Sequence, residues 1–254
     1  LFSPSSIQVP GETENAEEFY DLFAKQPLVP FDETGMGPEI VLGDLDNDGW
    51  LDLVMGEATG QETRVFRNKG GTALELVESD VFYDDYDSED CNVALFDYDG
   101  DEILDMLVTA GGIELDAQSE YYRDRVYLQK PGMEFQRLDG EQFDSLPSAS
   151  RGAVVMDANG DGRLDLLSGG GTKKDQYPFT HENLVWIRTD SGYVLDTDSA
   201  FARAFAQSGK TMELLSVDID SDGDLDLVQA IEWGSPAIWI FGEDGLSRAQ
   251  GTLP

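Results

Sequence analysis

Asp44-Leu45-Asp46-Asn47-Asp48-Gly49-Trp50-Leu51-Asp52 places four carboxylates at positions 1, 3, 5 and 9 of a nine-residue stretch. Unpaired, these groups repel one another. A hard divalent cation removes the conflict, because Ca²⁺ accepts about six to eight oxygen ligands in a flexible shell. Gly49 at position 6 permits the tight turn that wraps the chain around an ion. The backbone carbonyl of Trp50, at position 7, is expected to add a further oxygen.

The pattern recurs three times. Asp97, Asp99, Asp101 and Asp105 repeat it, with Ile103 at position 7 and Glu102 where Gly is expected. Asp157, Asn159, Asp161 and Asp165 form the third copy, with Arg163 at position 7. Asp218, Asp220, Asp222, Asp224 and Asp226 form the fourth. A single copy is compatible with a solvated acidic turn; four copies in one register point to about four bound Ca²⁺ ions as cofactors. An EF-hand needs a carboxylate at position 12. Met55, Val108, Ser168 and Gln229 stand there instead. Dockerin-type loops fail at the same position, and glycine-rich nonapeptide calcium repeats recur too closely to fit.

Each acidic loop sits between two short apolar runs. Ile40–Leu42, Val93–Phe96, Ala153–Met156 and Leu214–Val217 precede the loops; Leu53–Met55, Met106–Val108, Leu166–Ser168 and Leu227–Gln229 follow them. These runs are too short for helices and read as buried strands. A third, alternating strand is expected at Arg64–Arg67, Arg125–Leu128, Leu184–Ile187 and Ala237–Ile240, and a weak fourth at sites such as Leu74–Val77 and Glu134–Arg137. The first Asp of each loop recurs after 53, 60 and 61 residues. Four strands per repeat of that size specify an all-β β-propeller of four-stranded blades. The four calcium-loop blades visible here either close a small ring or form part of a larger propeller. Expected blade limits are about 36–88, 89–147, 148–207 and 208–254, within a propeller domain of 35–254. Residues 1–34 read as a flexible arm with a possible edge strand at Glu18–Phe23, broken by Pro27 and Pro30. Residues 198–207 are expected to hold a turn or two of helix. The insertions Gly111–Arg123 and Gly169–Glu182 are expected on one face together.

The loops resemble FG-GAP/VCBS repeats, the calcium-loop blades also found in integrin α-subunit propellers. A closer resemblance is to cartilage-acidic-protein-like (ASPIC/UnbV-associated) bacterial repeat proteins. It rests on Asp124-Arg125-Val126-Tyr127-Leu128, Leu167-Ser168-Gly169-Gly170-Gly171, and Glu232-Trp233-Gly234 followed by Ile238-Trp239-Ile240-Phe241. The resemblance implies an extracytoplasmic propeller whose calcium ions rigidify the blades and whose loops bind proteins or glycans. Such propellers often have seven blades. Four calcium motifs and Glu102 are departures, and the terminal domain of the closer family is not present in this sequence.

The chain has 254 residues, 52 Asp and Glu against 16 Lys and Arg, and a net charge of -36. Even four bound Ca²⁺ would leave it strongly acidic. That argues against nucleic acid and anionic membranes as partners. No apolar run reaches membrane-spanning length, so no direct membrane insertion is expected. Cys91 is the only cysteine, so calcium rather than an intrachain disulfide would staple the fold. Calcium demand and the start at Leu1 suggest a secreted, processed or excised product at the cell surface or outside the cell, its signal peptide removed.

Among other residues, His181 reads as an exposed loop residue and Cys91 as a small core side chain. Trp186, Trp233 and Trp239 read as core or blade-edge residues, and Trp50 as exposed. Asp84–Asp90 reads as a solvated acidic connector, with a weak extra cation site as the alternative. Tyr121–Arg123 is a candidate partner contact. No catalytic constellation is recognised, so the chain is expected not to be an enzyme. The expected role is a protein-interaction or structural module, with possible self-assembly. A glycan-binding lectin and a polysaccharide-degrading enzyme stand as alternatives.

Overall fold

The computed structural model describes residues 21–34, 39–113, 116, 119–140, 149–243 and 245–249. Among the described residues, sixteen strands form four antiparallel four-stranded sheets. The first holds β1 (Ile40–Gly43), β2 (Asp52–Met55), β3 (Arg64–Asn68) and β4 (Leu74–Val77). The second holds β5 (Asp90–Phe96), β6 (Asp105–Ala110), β7 (Arg125–Lys130) and β8 (Glu134–Arg137). The third holds β9 (Ser150–Met156), β10 (Asp165–Gly170), β11 (Leu184–Thr189) and β12 (Gly192–Leu195). The fourth holds β13 (Thr211–Val217), β14 (Asp226–Ile231), β15 (Ala237–Ile240) and β16 (Ser247–Arg248).

Within every sheet the strands follow chain order, as in a propeller blade. The first strands lie side by side, β1 next to β5, β5 next to β9 and β9 next to β13. They form the inner edge from which the blades radiate. The four sheets are not closed into a ring, so the small ring considered from the repeat count is not formed. They form an open arc instead.

The core lies between blades. Val54, Val65, Val93, Met106 and Tyr127 pack the first interface. Leu107, Val126, Leu166 and Trp186 pack the second. Leu167, Val185, Leu227 and Trp239 pack the third, where the helix Ala200–Ala206 adds Phe201 and Phe205 against Trp239. A β-sheet blade buries both faces only between neighbours, so each blade depends on the next.

The inner strands of blades 2 to 4 run longer than their apolar runs. Register shifts between Asp90 and Asn92, Ser168 and Gly170, and Thr211 and Glu213 let them continue past a bulge. Gly169 lies opposite one such bulge, at Arg151 and Gly152, where a Cβ would meet the carbonyl oxygen of Arg151 at 2.4 Å.

Leu22 and Phe23, expected in a short strand, lie in a helical turn, Leu22–Lys25, capped by Asp21. Residues 18–20 of that expected strand, and the first part of the expected arm, lie outside the described residues. The described part, 21–34, is packed rather than loose: Leu22 and Val29 are buried against Ile113, with Tyr177 alongside. Glu33 meets the Lys210 ammonium at 2.6 Å and accepts from the Thr172 hydroxyl at 2.9 Å. The two long insertions do meet, through Lys174 and Asp116 at 3.2 Å.

Candidate metal centre

All four acidic loops connect the first and second strands of a blade, and their backbones share one design. Position 4 has positive φ in each copy: Asn47, Gly100, Gly160 and Ser221. Position 6 does too: Gly49, Glu102, Gly162 and Gly223. The position 1 carboxylate accepts from the position 6 N–H throughout, Asp44 from Gly49 at 2.9 Å, Asp97 from Glu102 at 2.9 Å, Asp157 from Gly162 at 2.7 Å and Asp218 from Gly223 at 3.2 Å. The position 5 carboxylate accepts from the position 7 N–H of Trp50, Ile103, Arg163 and Asp224. Glu102 therefore makes the same turn as the glycines, and the second loop is not shifted.

The position 9 carboxylates have a distinct environment. Asp52, Asp105, Asp165 and Asp226 are almost fully buried. One oxygen of each accepts from the position 2 N–H, of Leu45, Tyr98, Ala158 or Ile219, at 2.7–3.0 Å. The other accepts from a backbone N–H on or just beyond the third strand, of Asn68, Gln129, Arg188 or Phe241, at 2.7–2.8 Å. Each of these residues staples the loop to its own blade. Spacing marks them only as one more acidic ligand, and their second bond spans up to 24 residues.

Three loops gather three carboxylates whose oxygens lie within 4.8 Å of one another: Asp44, Asp46 and Asp48; Asp97, Asp99 and Asp101; Asp218, Asp220 and Asp226. Ligands held at about 2.3–2.6 Å from one Ca²⁺ lie no farther apart than about 5 Å. The donor set is oxygen only, which suits a hard cation. In the third loop Asn159 supplies an amide oxygen where the others have a carboxylate, and its Nδ2 approaches Asp161 at 3.4 Å.

The electrostatics favour a cation. Burial raises the carboxyls of Asp52 and Asp105 above the usual range against two backbone donors each, and neighbouring aspartates add to the rise. Asp165 is pushed up to about 6 by burial, with Asp161 and Asp157 contributing. Third-strand cations partly offset this charge, which spacing did not reveal. Arg67 pairs with Asp46, and Lys130 with Asp99 at 3.2 Å. Arg163 turns its side chain outward to Asp190 at 2.8 Å.

The loops lie side by side. Asn47 in the first reaches the second, and a cleft of about 420 Å³ between the second and third is lined by Asp97, Asp99, Gly162, Arg188 and Tyr193.

Several other expectations are corrected. The stretch Asp84–Asp90 is not a solvated connector: Asp85, Ser88, Glu89 and Asp90 are buried. Asp90 pairs with Arg125 and accepts from the Thr63 hydroxyl at 2.5 Å, while Asp85 accepts from the Tyr127 hydroxyl at 2.6 Å and pairs with Arg137. Basic and hydroxyl partners distant in sequence neutralise these acids. His181 is half-buried rather than exposed. Trp233 is exposed, its indole N–H donating to the Tyr177 hydroxyl at 2.5 Å, whereas Trp186 and Trp239 are buried. Trp50 is exposed as expected. Tyr121 stands next to buried Tyr122 in a single 3-10 turn, Glu120–Tyr122.

Residues 44–108 match the family model of the FG-GAP-like repeat. Among solved structures, the chain is similar to a lectin of Agrocybe aegerita described as recognising non-reducing terminal N-acetylglucosamine, at 19% identity and a TM-score of 0.51. The match covers 85% of this chain and 52% of the lectin, so the chain spans about half the lectin's length. No curated protein matches the chain. The match identifies residues 44–108 as similar to the FG-GAP-like repeat, and the structural likeness shows a β-propeller fold.

Proposed function

We propose that this arc of FG-GAP-type blades is a calcium-stabilised interaction module of a cell-surface or extracellular assembly. The observation that supports it is the set of carboxylate triads in three of the loops, at positions 1, 3 and 5 in the first two and at positions 1, 3 and 9 in the fourth, each within reach of one ion. The residues that would hold calcium are Asp44, Asp46, Asp48, Asp97, Asp99, Asp101, Asp157, Asn159, Asp161, Asp218, Asp220 and Asp222. Carbonyls of Trp50, Ile103, Arg163 and Asp224 would complete the shells, with Asp52, Asp105, Asp165 and Asp226 closing each loop from beneath. Calcium supplies charge neutralisation, and the chain supplies loop geometry. With the backbone already turned by hydrogen bonds to the first Asp, an ion is bound at little ordering cost. The high calcium level outside cells suits such sites, as does a large negative charge in a salt-rich medium.

The test is thermal unfolding of the protein in calcium and in chelator. One saturated site adds about 2.7 kcal/mol at a hundredfold excess over its dissociation constant. The midpoint should rise by many degrees in calcium; equal midpoints would overturn the metal assignment.

Glycan binding is a second reading, favoured by one surface feature. Tyr83 and Tyr86 are exposed and stacked, with ring centroids 5.3 Å apart, beside a shallow pocket lined by Gly60, Gln61, Glu62 and Arg64. An aromatic face beside hydrogen-bonding side chains suits a sugar ring. A glycan array separates the readings: a hit lost in Tyr83→Ala supports the lectin, and a blank array supports the protein-binding module.

A further inference from the structure

Every blade has two faces, and the three interfaces inside this chain use them identically. The residues three before and ten after the first loop Asp point to the following blade. They are Val41 and Val54 in blade 1, Ala94 and Leu107 in blade 2, and Val154 and Leu167 in blade 3. The residues four before and nine after that Asp point to the preceding blade. They are Val93 and Met106 in blade 2, Ala153 and Leu166 in blade 3, and Leu214 and Leu227 in blade 4.

Two faces are left over at the ends of the arc. The forward face of blade 4 carries Leu215, Val228 and, just inside the loop, Ile219. Leu215 is 57% and Ile219 44% exposed, whereas Leu45 and Ala158, the equivalents of Ile219 in blades 1 and 3, are 0% and 4% exposed. The backward face of blade 1 carries Ile40, Leu42 and Leu53. Ile40 is 54% and Leu42 58% exposed, although Val93, the equivalent of Ile40 in blade 2, is 5% exposed. Clustered exposed aliphatics at repeat-equivalent positions mark a surface built for contact. Repeat arrays usually end in polar caps, and neither of these blade faces is polar.

We propose that the forward face of blade 4 docks onto the backward face of blade 1 of a second copy of this chain, and that two arcs close one propeller ring. The pairing is the same forward-to-backward contact that the chain makes three times internally, so the surfaces match in residue class and in strand register. The arc spans about half the length of the propeller lectin it resembles, so two arcs complete a ring of comparable extent. Such a contact is heterologous, and it terminates at two copies because the rotation closes. The proposal rests on blade packing and not on the calcium reading.

Sedimentation velocity on the full chain at micromolar concentration tests it, with Leu215→Asp and Leu42→Asp compared with the unmodified protein. Both positions are exposed, so circular dichroism should show each variant folded. The unmodified chain is expected to sediment as a dimer, and each variant alone should weaken dimerisation at least tenfold. A monomer or an open-ended polymer of the unmodified chain overturns the proposal; the exposed faces then belong to another partner or to further blades. A dimer that survives both substitutions, or that only one of them disrupts, also overturns it, because a forward-to-backward contact needs both faces.

Discussion

Asn47 in the first loop donates its side-chain amide to the backbone carbonyl of Glu102 in the second, across 3.2 Å. The two loops are thereby tied at their tips, although 55 residues separate them in sequence. Glu102 is held at φ 66, in the left-handed region that costs a residue with a Cβ about 1–2 kcal/mol. The hydrogen bond uses the backbone, so it does not depend on the glutamate side chain.

Glu102→Gly should therefore raise stability and strengthen calcium binding at the second loop without changing stoichiometry. Relief of strain is offset by about 0.5–1 kcal/mol for the greater freedom of unfolded glycine, leaving a net gain of up to about 1.5 kcal/mol. Denaturant unfolding and calorimetric titration measure the two effects. Weaker calcium binding in the variant would mean that the Glu102 carboxylate itself assists the site.

Asp105→Ala should destabilise the protein even in chelator. It removes the acceptor for the N–H groups of Tyr98 and Gln129, each at 2.7 Å in a buried site. Each orphaned donor costs about 1–3 kcal/mol, so the loss is about 2–6 kcal/mol. Asp99→Ala removes an exposed partner of Lys130 and should cost less than about 1 kcal/mol in chelator while weakening calcium binding. Equal losses for the two variants in chelator would contradict the division between staple and ligand.

The blade strands were legible because short apolar runs flank a repeated, strongly patterned loop. The left-handed backbone at Glu102 was legible only in part: three glycines mark the same position in the other loops, but Gly100 two residues earlier left a shifted turn open, and the turn is not shifted. The open arc was not, because closure depends on the rotation between blades, which the local pattern of Ile40 or Leu215 does not encode. The buried acids Asp85 and Asp90 were misread for a related reason. A run of acids looks solvated until its partners are known, and Arg125 stands 35 residues from Asp90 while Arg137 stands 52 from Asp85. Leu22 and Phe23 end a short aromatic-rich run that reads as a strand, but the Asp21 side chain accepts the Ala24 N–H and caps a helical turn there.

Arg125→Met should be among the most damaging single substitutions. Arg125 is buried and paired with Asp90, and that carboxylate holds the guanidinium proton more firmly than usual. Methionine leaves the Asp90 charge buried with the Thr63 hydroxyl as its remaining side-chain donor. Breaking one side of a buried pair costs about 3–5 kcal/mol. Adding Asp90→Asn to that variant should recover part of the loss, because the stranded charge is gone. A double-mutant cycle in urea checks this, and an unrecovered or neutral result would remove the pair from the stability of blade 2.

His181 should make the fold sensitive to mild acid. Its backbone N–H donates to the Gly171 carbonyl at 2.9 Å, which holds the residue in the insertion of blade 3. Burial, and then the charge of Lys173, push its imidazole down to about 4 from an ordinary value near 6.5. A depressed folded value means that the unfolded chain binds the proton more tightly. The stability contributed by neutral His181 is thus complete above about pH 6.5 and is lost as pH falls toward and through about 4. The carboxylates titrate over an overlapping range, so the comparison must be with a variant that lacks only the imidazole. His181→Gln should reduce the acid-induced drop in melting midpoint between about pH 7 and about pH 4 relative to the unmodified protein. If the two curves run parallel over that interval, the imidazole is as well solvated in the folded chain as in the unfolded one, and the half-buried placement of His181 does not govern its protonation.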